Sequence, residues 1–172
     1  LKTIKNIGFD SFFTGTLDLK SQYKIAETAA LNNISYEFVH GPFGHINDIW
    51  LDCAAGDEMQ NEISDCIDAC GKTNVPIVVL HLSSGVTPPT ITDIGRKRFE
   101  KLVNTASKNN VKIAFENTEG EQGLDALMKA YNDDKDVGFC WDSGHEMCYN
   151  FSKDLLALYG HKLMATHIND NL

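Results

Sequence analysis

Lys112-Ile113-Ala114-Phe115-Glu116-Asn117-Thr118 is a short apolar run that stops on a carboxylate. Its length and its β-branched and aromatic content mark a strand buried on both faces. A carboxylate directly after Ile-Ala-Phe stands where burial is costly without a partner. The same pattern recurs along the chain. Residues 35–40 end on His40, residues 77–82 carry His81 after the continuous Ile77-Val78-Val79-Leu80, residues 137–142 end on Asp142, and residues 163–169 carry His167. With residues 9–14 this makes six predicted strands.

The stretches between them have helical periodicity: 18–32, 58–72, 93–109 and 123–133, with apolar residues spaced as in Ile25, Ala29, Ala30 and in Phe99, Leu102, Val103, Ala106. A shorter helix is expected at 151–159, opened by Ser152, and another at 1–7 leading into the first strand. Thr92 and Asp93 are suited to cap the third long helix.

Strict alternation of strands and helices forces parallel pairing with right-handed crossovers. An open doubly wound sheet would announce a nucleotide site by a glycine-rich first turn, and neither G-x-G-x-x-G nor a P-loop occurs. Polar strand ends at His40, His81, Glu116, Asp142 and His167 instead fit a closed barrel, where all such ends converge on one mouth. The expected fold class is α/β, a (β/α)8 TIM barrel of about 250 residues when complete. About six βα units are present, so strand one is expected before Leu1 and strand eight after Leu172. Residues 1–172 then form a single domain, incomplete at both ends; no linker, low-complexity tract or longer repeat interrupts it.

The chain has 172 residues, 42% hydrophobic and 23% charged, enough for a sizeable core and far from the disordered class. A formal net charge of −9 and a pI near 5.0 argue against a binder of nucleic-acid backbone, which needs a basic face. No apolar run reaches the roughly 18 residues of a membrane span, and no charged-then-apolar leader opens the sequence. These features predict a cytoplasmic protein. None of the five cysteines forms a C-x-x-C pair, and Cys66 and Cys70, four apart on a helix, are expected to pack as thiols.

Glu116, Asp142 and His167 end successive strands and together offer two carboxylates and a neutral imidazole. This mixed oxygen and nitrogen set suits a divalent metal such as Mn, Mg, Co or Zn. Asp142 and His145 stand three apart across a predicted tight turn, so both can face one cavity. His40 and His81 are each either a contact for substrate or metal or a satisfied core histidine. His45, in a loop beside Gly44, would line the mouth; His161, after Gly160, reads as structural at a helix end. Trp141 is offered for stacking on a sugar face, Trp50 for packing.

His40-Gly41-Pro42-Phe43, Val79-Leu80-His81, Phe115-Glu116-Asn117-Thr118, Asp142-Ser143-Gly144-His145 and His167-Ile168-Asn169-Asp170 occur in an order and spacing that resemble the xylose-isomerase-like barrels. That superfamily includes sugar-phosphate isomerases and epimerases, inosose dehydratases and the endonuclease IV group. The resemblance implies that Glu116, Asp142 and His167 bind the metal, with a fourth ligand, a glutamate, on strand eight. It implies that His145 contacts substrate oxygens and that His81 and His40 line the pocket. In the endonuclease branch the positions of His40, His81, Glu116, Asp142, His145 and His167 resemble ligands of a three-zinc cluster. The expected activity is a divalent-metal-dependent sugar or sugar-phosphate isomerase or epimerase, moving a proton through an enediolate with Glu116 as base on one face. The alternatives are a zinc-dependent abasic-site endonuclease and a non-catalytic sugar-binding barrel. The expected partner is a small-molecule sugar or sugar phosphate, without nucleic acid or membrane; barrels of this kind often pair as homo-oligomers through their helical shell.

Overall fold

In the computed structural model, which describes residues 1–150 and 152–169, all six expected strands form. They are β1 (Ser11–Gly15), β2 (Ser35–His40), β3 (Ile77–Leu80), β4 (Lys112–Glu116), β5 (Val137–Asp142) and β6 (Leu163–His167). Every pairing is parallel and the strand order follows the chain, so the sheet winds in one direction only. The sheet curls into a half-barrel: the ring of Phe13 on β1 stacks 5.3 Å from the imidazole of His167 on β6. Six strands of a partial TIM barrel are therefore present.

The helices are α1 (Lys2–Asn6), α2 (Leu19–Leu31), α3 (Ala54–Thr73), α4 (Asp93–Lys108), α5 (Glu121–Ala130), α6 (Ser143–Tyr149) and α7 (Leu155–Tyr159). Asp18 caps α2 by accepting from Ser21 N, and Thr92 caps α4 by accepting from Gly95 N. Each of the three long helices hands over to the next strand through an asparagine at positive φ: Asn33 at 50°, Asn74 at 56° and Asn110 at 55°. Asparagine tolerates this left-handed turn, which reverses the chain within two or three residues.

Alternation along each strand sorts the side chains onto two faces. Val78, Leu80, Ile113, Phe115, Val137 and Phe139 point outward and join Ile63, Ile67, Phe99, Leu102, Leu124 and Leu127 of the helices in the main core. Phe38, Val79, Ala114, Cys140 and Ala165 point inward and form a second, smaller apolar cluster. Two residues further along, on the same inner face, come His40, Glu116, Asp142 and His167 at the strand ends and His81 just past the end of β3. The polar residues thus form one layer above an apolar floor, at the carboxyl ends of the strands.

The rim beside this layer is pinned from behind. Trp50, which closes the 3-10 turn Ile46–Trp50, is buried and donates from Nε1 to Leu82 O at 2.6 Å. Thr92 Oγ1 donates to Trp50 O, and a side chain at Gly95 would collide with the Trp50 ring. Arg98 is buried with its guanidinium on Ile49 O at 2.9 Å, Leu51 O at 2.6 Å and Asp57 Oδ1 at 2.9 Å. Trp50 is a packing residue, as expected. Cys66 and Cys70 are buried on α3.

Several boundaries differ from the sequence reading. Helix α3 begins four residues earlier than expected, at Ala54, and α5 runs from Glu121 to Ala130. Strands β3 and β6 stop at Leu80 and His167, because the ladder ends there. Helix α7 starts at Leu155 under an Asp154 cap, not at Ser152; the expected position of Phe151 lies outside the described residues. The predicted tight turn after Asp142 is the first turn of α6, with Asp142 Oδ1 accepting from His145 N at 2.7 Å. Among the described residues no helix is long and apolar enough to cross a membrane.

Candidate metal centre

Glu116 closes β4 facing inward and is 2% exposed. Both carboxylate oxygens are surrounded. Oε1 lies 3.1 Å from His167 Nδ1 and 3.4 Å from His145 Nδ1; Oε2 lies 3.1 Å from His40 Nε2 and 3.3 Å from His81 Nε2. His40 directs its other nitrogen to Gly41 O at 3.0 Å. Gly41 must be small, since a Cβ there would stand 2.5 Å from the Leu80 side chain. Asp142 flanks the hub: Oδ1 is 3.7 Å from His145 Nδ1, and Oδ2 is 3.7 Å from His167 Nδ1 while accepting from Asn169 Nδ2 at 2.8 Å.

Burial by itself would push the Glu116 carboxyl up, but the imidazoles of His145, His167, His40 and His81 together outweigh it and hold the group well below the usual carboxylate range. The effect is reciprocal. His145 is raised by its position on Glu116, and His40, which burial would lower, is raised by the same carboxylate. The Cys140 thiol in the floor is pushed up by burial and by the negative charges of Glu116 and Asp142.

The donor set fits a metal ion. His40 Nε2 and His81 Nε2 stand 3.2 Å apart on the same carboxylate oxygen, and among the described residues no hydrogen-bond partner meets the buried His81 Nδ1 or His167 Nε2. Ligand atoms on one tetrahedral ion stand roughly 3.3 Å apart, close to the 3.1–3.7 Å spacings around Glu116. Among the described residues, three triads bring a donor atom from each residue within 4.8 Å of the others: His40–His81–Glu116, Glu116–Cys140–His167 and Glu116–Asp142–His145. Carboxylate with imidazole suits hard-to-borderline divalent ions.

Every strand-end residue singled out in the sequence meets at this point. The geometry does not divide them into metal ligands and pocket walls as the resemblance did, for His40 is as near Glu116 as His167 is. His45 stands apart on the rim, paired with Asp48 at 3.4 Å and Glu62 at 3.5 Å. His161 is exposed in the 3-10 turn Gly160–Lys162. Trp141 corrects the stacking expectation: alternation turns it outward when Asp142 faces in, and its Nε1 donates to Glu146 Oε2. Three site residues escaped the sequence reading. Asn169 holds Asp142, Cys140 lies in the floor, and the Phe43 ring lies tilted 4.5 Å from that of His81. The period of two, counted back from Asp142, would have found Cys140.

The whole chain, residues 1–172, matches the family described as xylose isomerase-like TIM barrel. The uncharacterized protein y4fM of Sinorhizobium fredii (strain NBRC 101917 / NGR234) is 34% identical over 121 residues, 61% of this chain and 38% of that protein. The match thus spans well under half of that relative. A D-tagatose 3-epimerase-like protein superposes with a TM-score of 0.76 at 20% identity, covering 99% of this chain and 71% of that one. The IolI protein, crystallised with a zinc atom bound, gives a TM-score of 0.71 at 21% identity, covering 97% and 65%. At these identities the two structures establish a shared fold.

Proposed function

This chain belongs to the xylose isomerase-like TIM barrel family, and from that premise we propose that it carries the metal centre of a divalent-metal-dependent sugar or sugar-phosphate isomerase or epimerase. The observation that carries the reading is Glu116, a buried carboxylate ringed by four imidazoles at the barrel mouth. The epimerase-like fold neighbour supports a sugar substrate, and the zinc in IolI supports a divalent ion.

Glu116, Asp142 and His167 would hold Mn, Mg, Co or Zn. When bound, the ion supplies positive charge that polarises a sugar carbonyl and the hydroxyl beside it. The chain's own residues do the rest. Glu116 takes the proton α to the carbonyl on one face of the sugar. Charge placed at the neighbouring oxygen acidifies that C–H and stabilises the enediolate left behind. His145, 3.4 Å from Glu116, would donate to that oxygen. His40 and His81, with Phe43 against them, wall the other side and orient the sugar. The chain's net charge of −9 disfavours the nuclease alternative, which needs a basic face for the phosphate backbone.

Elemental analysis of protein purified without chelators tests this. About one divalent ion per chain, lost in Glu116→Gln, with exchange of a ketose α-proton into deuterated water, is the expected result. A wild-type protein without bound metal would sink the proposal. Metal and sugar binding without proton exchange would leave a binding barrel in place of an enzyme.

A further inference from the structure

Backbone pairing between β4 and β5 runs in register to Glu116 opposite Cys140, and a side chain makes the next rung. Asn117, 1% exposed, donates from Nδ2 to Asp142 O at 2.9 Å and accepts at Oδ1 from Asp142 N at 2.8 Å. Asn150, fully buried at the C-cap of α6, backs it up: Oδ1 accepts from Asn117 Nδ2 at 3.4 Å, and Nδ2 donates to Thr118 O at 3.2 Å and Glu121 Oε1 at 3.4 Å. Helix α6 is slung between these two anchors. Asp142 caps its first turn through His145 N, and Asn150 N closes its last on Glu146 O at 3.0 Å. The hydrogen bonds form a closed circuit from Asn117 to Asp142, along α6 to Asn150, and back to Asn117.

This circuit encloses one of the donor triads. Glu116 precedes Asn117 in the chain, Asp142 is gripped at both backbone atoms, and His145 rides on the turn that Asp142 caps. Two fully buried amides are a poor way to add stability alone, since apolar groups of the same shape serve about as well. A satisfied buried network does specify one arrangement of the groups attached to it. We propose that Asn117 and Asn150 are positioning residues that set Asp142 and His145 against Glu116, and through that placement the affinity of the site for its ion. The clause about the ion rests on the function proposed above; the placement itself does not.

The test uses Asn150→Ala and the isosteric Asn117→Asp in the whole chain, with two readouts. In native-state hydrogen exchange of metal-free protein, we expect the His145 amide in both variants, and the Asp142 amide in Asn150→Ala, to exchange about tenfold faster, with Val79 and Phe115 amides within about twofold of wild type. Titration with Mn²⁺ and Zn²⁺ should show affinity weakened about 10–100-fold, the usual cost of removing a partner that orients a ligand. Equal acceleration at all four amides would reduce the two asparagines to general structural roles and overturn the proposal. So would unchanged exchange at His145, or metal affinity within about twofold of wild type. If wild-type protein takes up neither ion, the function proposed above falls and the exchange comparison alone decides whether the clamp exists.

Discussion

The two faces of strand β4 are built for opposite tasks. Ile113 and Phe115 turn outward into a core shared with α3, α4 and α5, while Ala114 and Glu116, their immediate neighbours, turn inward to the floor and the histidine ring. The outer face is closed by helices and is apolar throughout, so its residues answer only to packing. The inner face must hold a charge in a dry place, which it does by surrounding one carboxylate with imidazoles. A single five-residue segment thus serves stability on one side and chemistry on the other, and mutations on the two sides should fail differently.

The largest expected effect separates them directly. Phe115→Ala should cost about 3–5 kcal/mol, read as a lower denaturation midpoint, because it empties part of the outer core. Next, Glu116→Gln should bring bound metal to background by elemental analysis while circular dichroism still shows the folded α/β spectrum. His167→Ala should follow the same pattern. An unfolded Glu116→Gln protein would break the comparison by making the inner face structural too.

A third prediction concerns pH. His40 and His145 have folded pKa values raised above 6.5, so the stability they add to metal-free protein is fully present below about 6.5 and is lost as pH rises through the folded values. Glu116 is depressed; its contribution is present above about 4.5 and fades only as pH falls through its folded value. The melting temperature of chelator-treated protein should therefore fall as pH rises above about 6.5. With Mn²⁺ or Zn²⁺ in excess the trend should reverse, since protons compete with the ion for the same nitrogens. Parallel trends in both states would argue against metal binding at these histidines. The smallest effect belongs to the rim: His45→Ala removes only partly exposed ion pairs, costs up to about 1 kcal/mol, and should leave bound metal unchanged.

Much of this was legible along the chain because it depends on local periodicity. The run at Ile77-Val78-Val79-Leu80, the Thr92 cap and the polar residue after each apolar run are properties of neighbours in sequence. Helix α6 was not legible: seven residues from Ser143 to Tyr149 carry too little periodicity to distinguish a helix from a turn, and it stands because Asp142 and Asn150 hold its ends. The rim was equally opaque. Nothing near Trp50 in the sequence announces that Arg98, a full helix and strand away, will satisfy the carbonyls around it.

By itself the sequence determined the alternation of strands and helices, the parallel sheet that follows, and the identity of the residues at the strand ends, since a period of two or of 3.6 is written locally. Only the tertiary structure decided that Glu116 is the hub, that His40 and His81 stand as close to it as His167 does, and that two asparagines hold Asp142 beside it. The physical reason is that distances between strands depend on register and curl. These come from packing the outer face against the helices, and no single segment contains that information.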